Sequence, residues 1–106
     1  MNILFIGGAG FIGSSLVKRF VSDKKYLVFI LEPEFANISR LNGYNLTVFR
    51  NSLSNINEVK DILLANKIEV VVHLVSTLIP GSNYDDYINE FKNVIFPSIE
   101  LMEFCA

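Results

Sequence analysis

Three glycines near the amino terminus have the spacing of a phosphate-binding turn. Gly7, Gly10 and Gly13 lie between an apolar run at residues 2–6 and an amphipathic stretch that begins at Phe11. Such a turn needs one glycine for a sharp bend, one that lets the backbone approach phosphate groups, and one for close packing of a helix on a strand. The glycines alone are a weak signal, because an ordinary strand-to-helix turn also contains them.

A carboxylate at a characteristic distance strengthens this interpretation. Glu32 follows Gly13 by 19 residues and ends a second apolar run. A carboxylate in that place can accept hydrogen bonds from the ribose hydroxyls of adenosine, so the pattern predicts a dinucleotide-binding βαβ unit. Because Glu32, Pro33 and Glu34 would repel a 2′-phosphate, the sequence favours NAD over NADP, although Arg40 could reach back to this position.

The rest of the chain alternates strand-like and helix-like segments. Strands are predicted at residues 2–6, 26–31, 46–49 and 68–75, and helices at 11–22, from 55 onward and at 84–102. Asn55 and Glu58 resemble a capping box, and Pro97 should kink the last helix or restart it. This alternation predicts an α/β fold, a doubly wound parallel sheet with strand order 3-2-1-4 and a ligand site at the carboxyl ends of its strands. The β-branched run at residues 70–72 predicts a central fourth strand.

Composition argues against several other classes of protein. Half of the 106 residues are apolar, and a net charge of −2 without a basic cluster offers nothing to attract nucleic acid or an anionic membrane surface. No run approaches the roughly 20 apolar residues that span a bilayer. Cys105 is the single cysteine, and no cysteine or histidine cluster suggests a metal site, so we expect a reducing, cytoplasmic location.

Three stretches carry a family resemblance. They are Gly7-Gly8-Ala9-Gly10-Phe11-Ile12-Gly13-Ser14, His73-Leu74-Val75-Ser76 and Asn93-Val94. In them the sequence resembles the extended short-chain dehydrogenase/reductase family of NAD-dependent nucleotide-sugar epimerases and dehydratases, and the resemblance covers essentially the whole chain. It implies a Rossmann-like NAD-binding domain at residues 1–106. In the complete protein it implies a nucleotide-sugar substrate, hydride transfer to and from NAD, and an isomerase (epimerase) or dehydratase outcome.

The resemblance also implies roles for individual residues in cofactor binding. It assigns the pyrophosphate to Gly7, Gly10 and Gly13 with the backbone of Phe11 and Ile12, and the adenosine ribose to Glu32. It places Ser52 and Leu53 near the adenine, with Ser52 where the family usually has an aspartate. It places Val75, Ser76 and Thr77 along the ribose and nicotinamide.

Two further polar residues are open to more than one interpretation. Asn93 matches a helix asparagine that orders the family's active site, and a buried capping or packing role is the alternative. His73 lies within an apolar strand, where a hydrogen-bonded structural histidine is expected more often than a catalytic one. Tyr84 and Tyr87 are expected to pack a helix.

The catalytic pair of the family does not occur in these 106 residues. No tyrosine is followed four residues later by lysine, whose charge would lower the tyrosine pKa. We therefore interpret the chain as an amino-terminal fragment that is inactive alone, with the fourth strand left as an edge that favours self-association or a homo-oligomer. The alternatives are a non-catalytic dinucleotide sensor and an α/β scaffold that binds nothing.

Overall fold

The computed structural model describes residues 1–75 and 83–106. Its elements in chain order are β1 (Asn2–Ile6), α1 (Phe11–Val21), β2 (Leu27–Glu32), a 3-10 turn (Ser39–Leu41), β3 (Thr47–Arg50), α2 (Ile56–Ala65), β4 (Val70–His73), α3 (Tyr84–Glu90), a π-helical turn (Phe91–Ile95) and α4 (Phe96–Cys105).

The four strands form one parallel sheet in the order β3-β2-β1-β4, which confirms the predicted topology. Glu32 at the end of β2 pairs in register with Arg50 at the end of β3, and Ile6 at the end of β1 pairs with His73. Among the described strands β4 pairs only with β1. It therefore lies at an edge, as expected for these 106 residues, and not at the centre that its β-branched run predicts. Its β-branched residues lie on an edge, where Val70 is 38% exposed.

Side chains that alternate along the strands form a hydrophobic cluster on each face of the sheet, which explains the nearly continuous apolar runs. On one face Phe5 and Ile30 pack with Val17 of α1. On the other, Leu4 and Leu31 belong to a cluster that includes residues of α2 and α4.

The amphipathic pattern that begins at Phe11 places Ile12 on the apolar side of the helix and Ser14 on the polar side. The buried face of α1 differs from this expectation. Ile12 is 69% exposed, whereas Ser14 is buried beside Gly13 and Val17. The close approach of Gly13 to the preceding turn directs Ser14 inward. The Ser14 hydroxyl donates a hydrogen bond to the carbonyl oxygen of Phe11 at 3.2 Å, which satisfies this buried polar group.

The predicted capping box at the start of α2 is wrong. The Asn55 side chain does not cap the helix; its Nδ2 donates to Oδ1 of Asn51 at 2.6 Å, and Nδ2 of Asn51 donates to Glu58. The side chains of Asn55 and Glu58, which the capping box requires, are therefore both hydrogen-bonded to Asn51. A capping box does form at α3, where Asn83 Oδ1 accepts from the Asp86 amide at 3.0 Å and Asp86 Oδ2 accepts from the Asn83 amide at 2.9 Å.

Pro97 was expected to kink or restart the last helix, and the structure shows a local change of helix type instead: the backbone stays helical from residue 84 to residue 105. The π-helical turn separates α3 from α4, and Pro97 occupies the first turn of α4, where a missing amide hydrogen costs little. Tyr84 and Tyr87 do not pack as expected, because they are 75% and 54% exposed.

Candidate functional site

Gly7 and Gly13 occupy sterically restricted places in the turn that joins β1 to α1. Gly7 has φ +87°, and its amide donates to the carbonyl oxygen of Leu31 at 3.2 Å. A Cβ on Gly13 would lie 2.6 Å from the carbonyl oxygen of Gly7, so α1 packs against the turn more closely than any side chain permits. These two residues fix the shape of the turn.

Gly10 is not sterically restricted in this way and borders the cleft. A Cβ on Gly10 would meet only the Gly7 carbonyl oxygen, at 3.8 Å, and Gly10 lines the cavity above the turn. It immediately precedes α1, which has neither a side-chain cap nor an acidic residue in its first turn. The amide groups of that turn, at Phe11 and Ile12, are therefore suited to an anion.

Glu32 connects the glycine turn to β2. Its side chain is 7% exposed, and its Oε1 accepts a hydrogen bond from the Ala9 amide at 2.9 Å. Its Oε2 forms no hydrogen bond within residues 1–75 and 83–106, which leaves one carboxylate oxygen for a ligand hydroxyl. The bond to Ala9 was not predicted, because spacing along the chain does not reveal how the turn folds back on the strand end.

A cavity of about 470 Å³ lies over the turn at the carboxyl ends of β1 and β2. It brings together Gly7, Gly10, Glu32 and Val75 from the predicted site. It also contains residues that were not predicted, on the segment that follows β2: Pro33, Phe35, Ala36, Asn37 and Ser39.

Arg40 also lines this cavity, carried there by the 3-10 turn. Its guanidinium carbon lies 5.7 Å from the centroid of the Phe11 ring, over the first residue of α1. The acidic environment expected around Glu32 thus includes a cation, and the suggestion that Arg40 reaches back from the next segment agrees with the structure.

Phe11, Ile12 and Gly13 line neither the cavity over the turn nor a second cavity of about 350 Å³. The second cavity contains further predicted residues. Ser52, Leu53, Val75 and Asn93 line it. Asn93 is exposed, not buried, and the π-helical turn carries it, a type of turn frequent at functional sites. The other two predicted residues, Ser76 and Thr77, lie outside the described residues.

Ser52 and Leu53 differ in what they offer to this cavity. Ser52 Oγ lies 2.8 Å from Ser54 Oγ and accepts from the Ser54 amide at 3.2 Å. Leu53 is 5% exposed and belongs to the core cluster shared with α2 and α4. Ser52 therefore supplies a locally bonded hydroxyl, and Leu53 an apolar floor.

His73 is a hydrogen-bonded histidine at the end of β4. The Val75 amide donates to its Nδ1 at 3.3 Å, and its Nε2 lies 2.6 Å from Ser98 Oγ, which donates to the Val94 carbonyl oxygen. This arrangement requires neutral His73 with its proton on Nε2. Burial lowers the pKa of His73, with a smaller opposing effect from its backbone hydrogen bond.

The described part of the chain offers no group of three histidine, cysteine, aspartate or glutamate residues that could hold a metal ion. Within residues 1–75 and 83–106, no helix is both long and apolar enough to cross a membrane.

The sheet order, the glycine turn against a helix amino terminus and the carboxylate at the end of β2 define a dinucleotide-binding α/β class of domain. Residues 3–105 match the NAD dependent epimerase/dehydratase family. The chain therefore belongs to that family.

Known relatives and structures agree with this assignment. The chain is 26% identical to the UDP-glucose 4-epimerase of Yersinia enterocolitica, over 97% of this chain and 32% of that protein. The crystal structure of UDP-glucose 4-epimerase from Thermotoga maritima, with UDP-glucose, has a TM-score of 0.84 and 28% identity over 98% of this chain and 33% of its own. The epimerase of Thermus thermophilus in complex with NAD, at 23% identity and a TM-score of 0.83 over 99% of this chain and 33% of its own, has the same fold. The chain thus spans about one third of these proteins' length.

Proposed function

We propose that the chain binds NAD in the cleft above the glycine turn and forms the cofactor-binding part of a nucleotide-sugar epimerase or dehydratase. The hydrogen bond from the Ala9 amide to Glu32 carries the proposal, because it joins the phosphate-binding turn to the ribose-binding carboxylate in one rigid unit. The unit lies at the carboxyl ends of β1 and β2, where ligands of such sheets bind.

The residues present fit a dinucleotide. The backbone around Gly10 and the first turn of α1 would hold the pyrophosphate, since that helix end presents free amide groups and no carboxylate. Oε2 of Glu32 would accept a hydrogen bond from a ribose hydroxyl. Bound NAD supplies a hydride acceptor and donor, and this chain's contribution is to bind and orient it.

The activity of the complete protein, its nucleotide-sugar substrate and its domain boundaries belong to the same proposal. Because no tyrosine-lysine pair of the family's spacing occurs in these 106 residues, we propose that they bind NAD without turnover. Incubation with NAD and UDP-glucose or dTDP-glucose should give no epimer and no dehydrated product, and measurable product would contradict this. We also propose a cytoplasmic location, in keeping with the single, unpaired Cys105.

A dinucleotide sensor is the second candidate function. The same missing pair favours it, because a sensor needs the cleft and no proton-transfer groups. A sensor and an enzyme fragment both bind NAD, so binding does not distinguish them. The enzyme proposal expects a longer chain that contains the tyrosine-lysine pair and turns over a nucleotide sugar, whereas the sensor proposal expects no turnover.

Calorimetric titration with NAD tests the binding proposal. We expect saturable binding of one NAD per chain and its loss in Gly10→Val, whose side chain would project into the cleft. Lys24→Ala is a matched control on an exposed residue outside the lining of both cavities and should bind normally. Absence of binding by the unaltered chain would favour the scaffold alternative.

A further inference from the structure

Arg50 holds the segment that follows β2. Its Nη2 donates to the carbonyl oxygens of Glu34 at 2.5 Å and Ala36 at 2.7 Å, while Nη1 is buried without a hydrogen-bond partner among the described residues. Charge-assisted bonds of this kind are about twice as strong as neutral ones. The two carbonyl groups flank Phe35, so the arginine fixes the backbone on both sides of that residue.

Phe35 is held in a place where it packs against little of the protein. Its side chain is 90% exposed, yet it lines both the cavity beside Glu32 and the cavity beside Ser52. An aromatic ring held at the junction of two cavities presents its surface to whatever enters them. Aromatic faces of this kind stack well on nucleobases, since every base has a π face.

We propose that Phe35 is a stacking platform for the adenine base of the cofactor and that Arg50 is the positioning residue that holds it there. The inference rests on the proposed function, because it is the ribose at Glu32 that brings an attached base within reach of Phe35. Both side chains act at the adenosine half of the ligand.

Fluorescence gives a direct test, because the chain contains no tryptophan. Phe35→Trp introduces a single indole, and titration with ADP-ribose should quench its emission saturably as adenine stacks on it. Phe96→Trp is the matched control, since Phe96 is 53% exposed and lines neither cavity. Its emission should not change. Equal responses from the two variants would overturn the platform.

Affinities separate positioning from a general structural effect. Phe35→Ala should bind ADP-ribose about tenfold more weakly, within the range for loss of one base stack, and inorganic pyrophosphate unchanged. Arg50→Lys should weaken ADP-ribose binding less than Phe35→Ala does. If Arg50 acts through Phe35, the double variant Phe35→Ala/Arg50→Lys should bind ADP-ribose no more weakly than Phe35→Ala alone. Additive losses of affinity would overturn the positioning role.

The failure of this inference is distinguishable from failure of the proposed function. If the unaltered chain binds neither NAD nor ADP-ribose, both are overturned. If it binds both ligands and Phe35→Ala binds ADP-ribose equally well, the stacking platform is overturned and the proposed function stands.

Discussion

Glu32 combines a structural hydrogen bond with a proposed ligand-binding role in one carboxylate. Oε1 anchors the Ala9 amide, while Oε2 has no hydrogen-bond partner in the described part of the chain. The proposed dinucleotide site therefore includes a side chain that also holds the turn in place. Loss of the Oε1 contact should lower stability, and loss of Oε2 should weaken ligand binding.

Two substitutions at Glu32 separate those roles. Glu32→Gln keeps an oxygen for the Ala9 amide and should lose little stability, whereas Glu32→Ala leaves that buried amide unpaired and should cost about 1–3 kcal/mol. Urea denaturation of both variants measures the difference. Equal losses in the two variants would contradict this expectation.

Gly13 and Gly10 should respond differently to the same added methyl group. Gly13→Ala forces a carbon toward the Gly7 carbonyl oxygen and should destabilise the fold by about 1–3 kcal/mol, which exceeds the gain in helix propensity. Gly10→Ala has room and should retain its melting temperature. Thermal denaturation of the pair checks this, and a stable Gly13→Ala would contradict the close approach of α1.

At this scale the sequence predicts residues whose chemistry is tied to spacing along the chain. Gly7, Gly13 and Glu32 have a local signature, because strand, turn and helix place them together. Phe35 and Arg50 have none. Their relation depends on how the segment after β2 folds over the end of β3, which hydrophobic periodicity does not encode.

Among the elements, β4 and α4 are joined by His73 and Ser98. Neutral His73 can accept the Val75 amide at Nδ1 and donate to Ser98 from Nε2, whereas the protonated ring cannot accept. Val75 lines both cavities. Protonation of His73 would therefore break its hydrogen bond with the Val75 amide, at the strand end that borders the cleft.

Stability should depend on pH through His73. Its pKa is lowered in the folded chain, so the unfolded chain binds the proton more readily. The stabilisation is complete above the unfolded pKa of about 6.5 and is lost as pH falls toward the lower folded pKa. Melting temperatures of the unaltered chain and His73→Gln should therefore converge as pH falls from 7.5 to 5.5. A difference that grows on acidification would contradict this.

The sequence pattern predicted which strands and helices form and the order of the strands. It did not predict which face of α1 is buried or which side chains cap α2. Four apolar runs separated by turns predict a parallel sheet, and the structure confirms its order. The exposure of Ile12 depends on Gly13 packing against the turn, and the failed capping box depends on competition from Asn51. Both are tertiary effects that override local patterns.

For the molecule as a whole, β4 forms one edge of the described sheet, and its residues are half-buried or exposed. A cavity of about 670 Å³ lies beside β4 between α2 and α4, lined by apolar residues that include Leu64, Val71 and Met102. Parallel sheets are ordinarily covered on both faces, and unpaired edges pair readily with other chains. We therefore expect the 106 residues alone to self-associate.

Val70→Lys tests that expectation. Val70 is 38% exposed on β4, so lysine places a charge on the edge with little loss of burial. Light scattering should show a lower average mass for the variant than for the unaltered chain, at similar melting temperature. A clean monomer of the unaltered chain at high concentration would contradict the expectation.

Amide chemical shifts during titration with NAD show directly whether this chain holds a dinucleotide over its glycine turn. We expect saturable amide shifts at residues 7–13, 32 and 34–37, and unchanged amides in α2 away from the cleft. Shifts confined to other regions, or none at saturating NAD, would contradict this expectation.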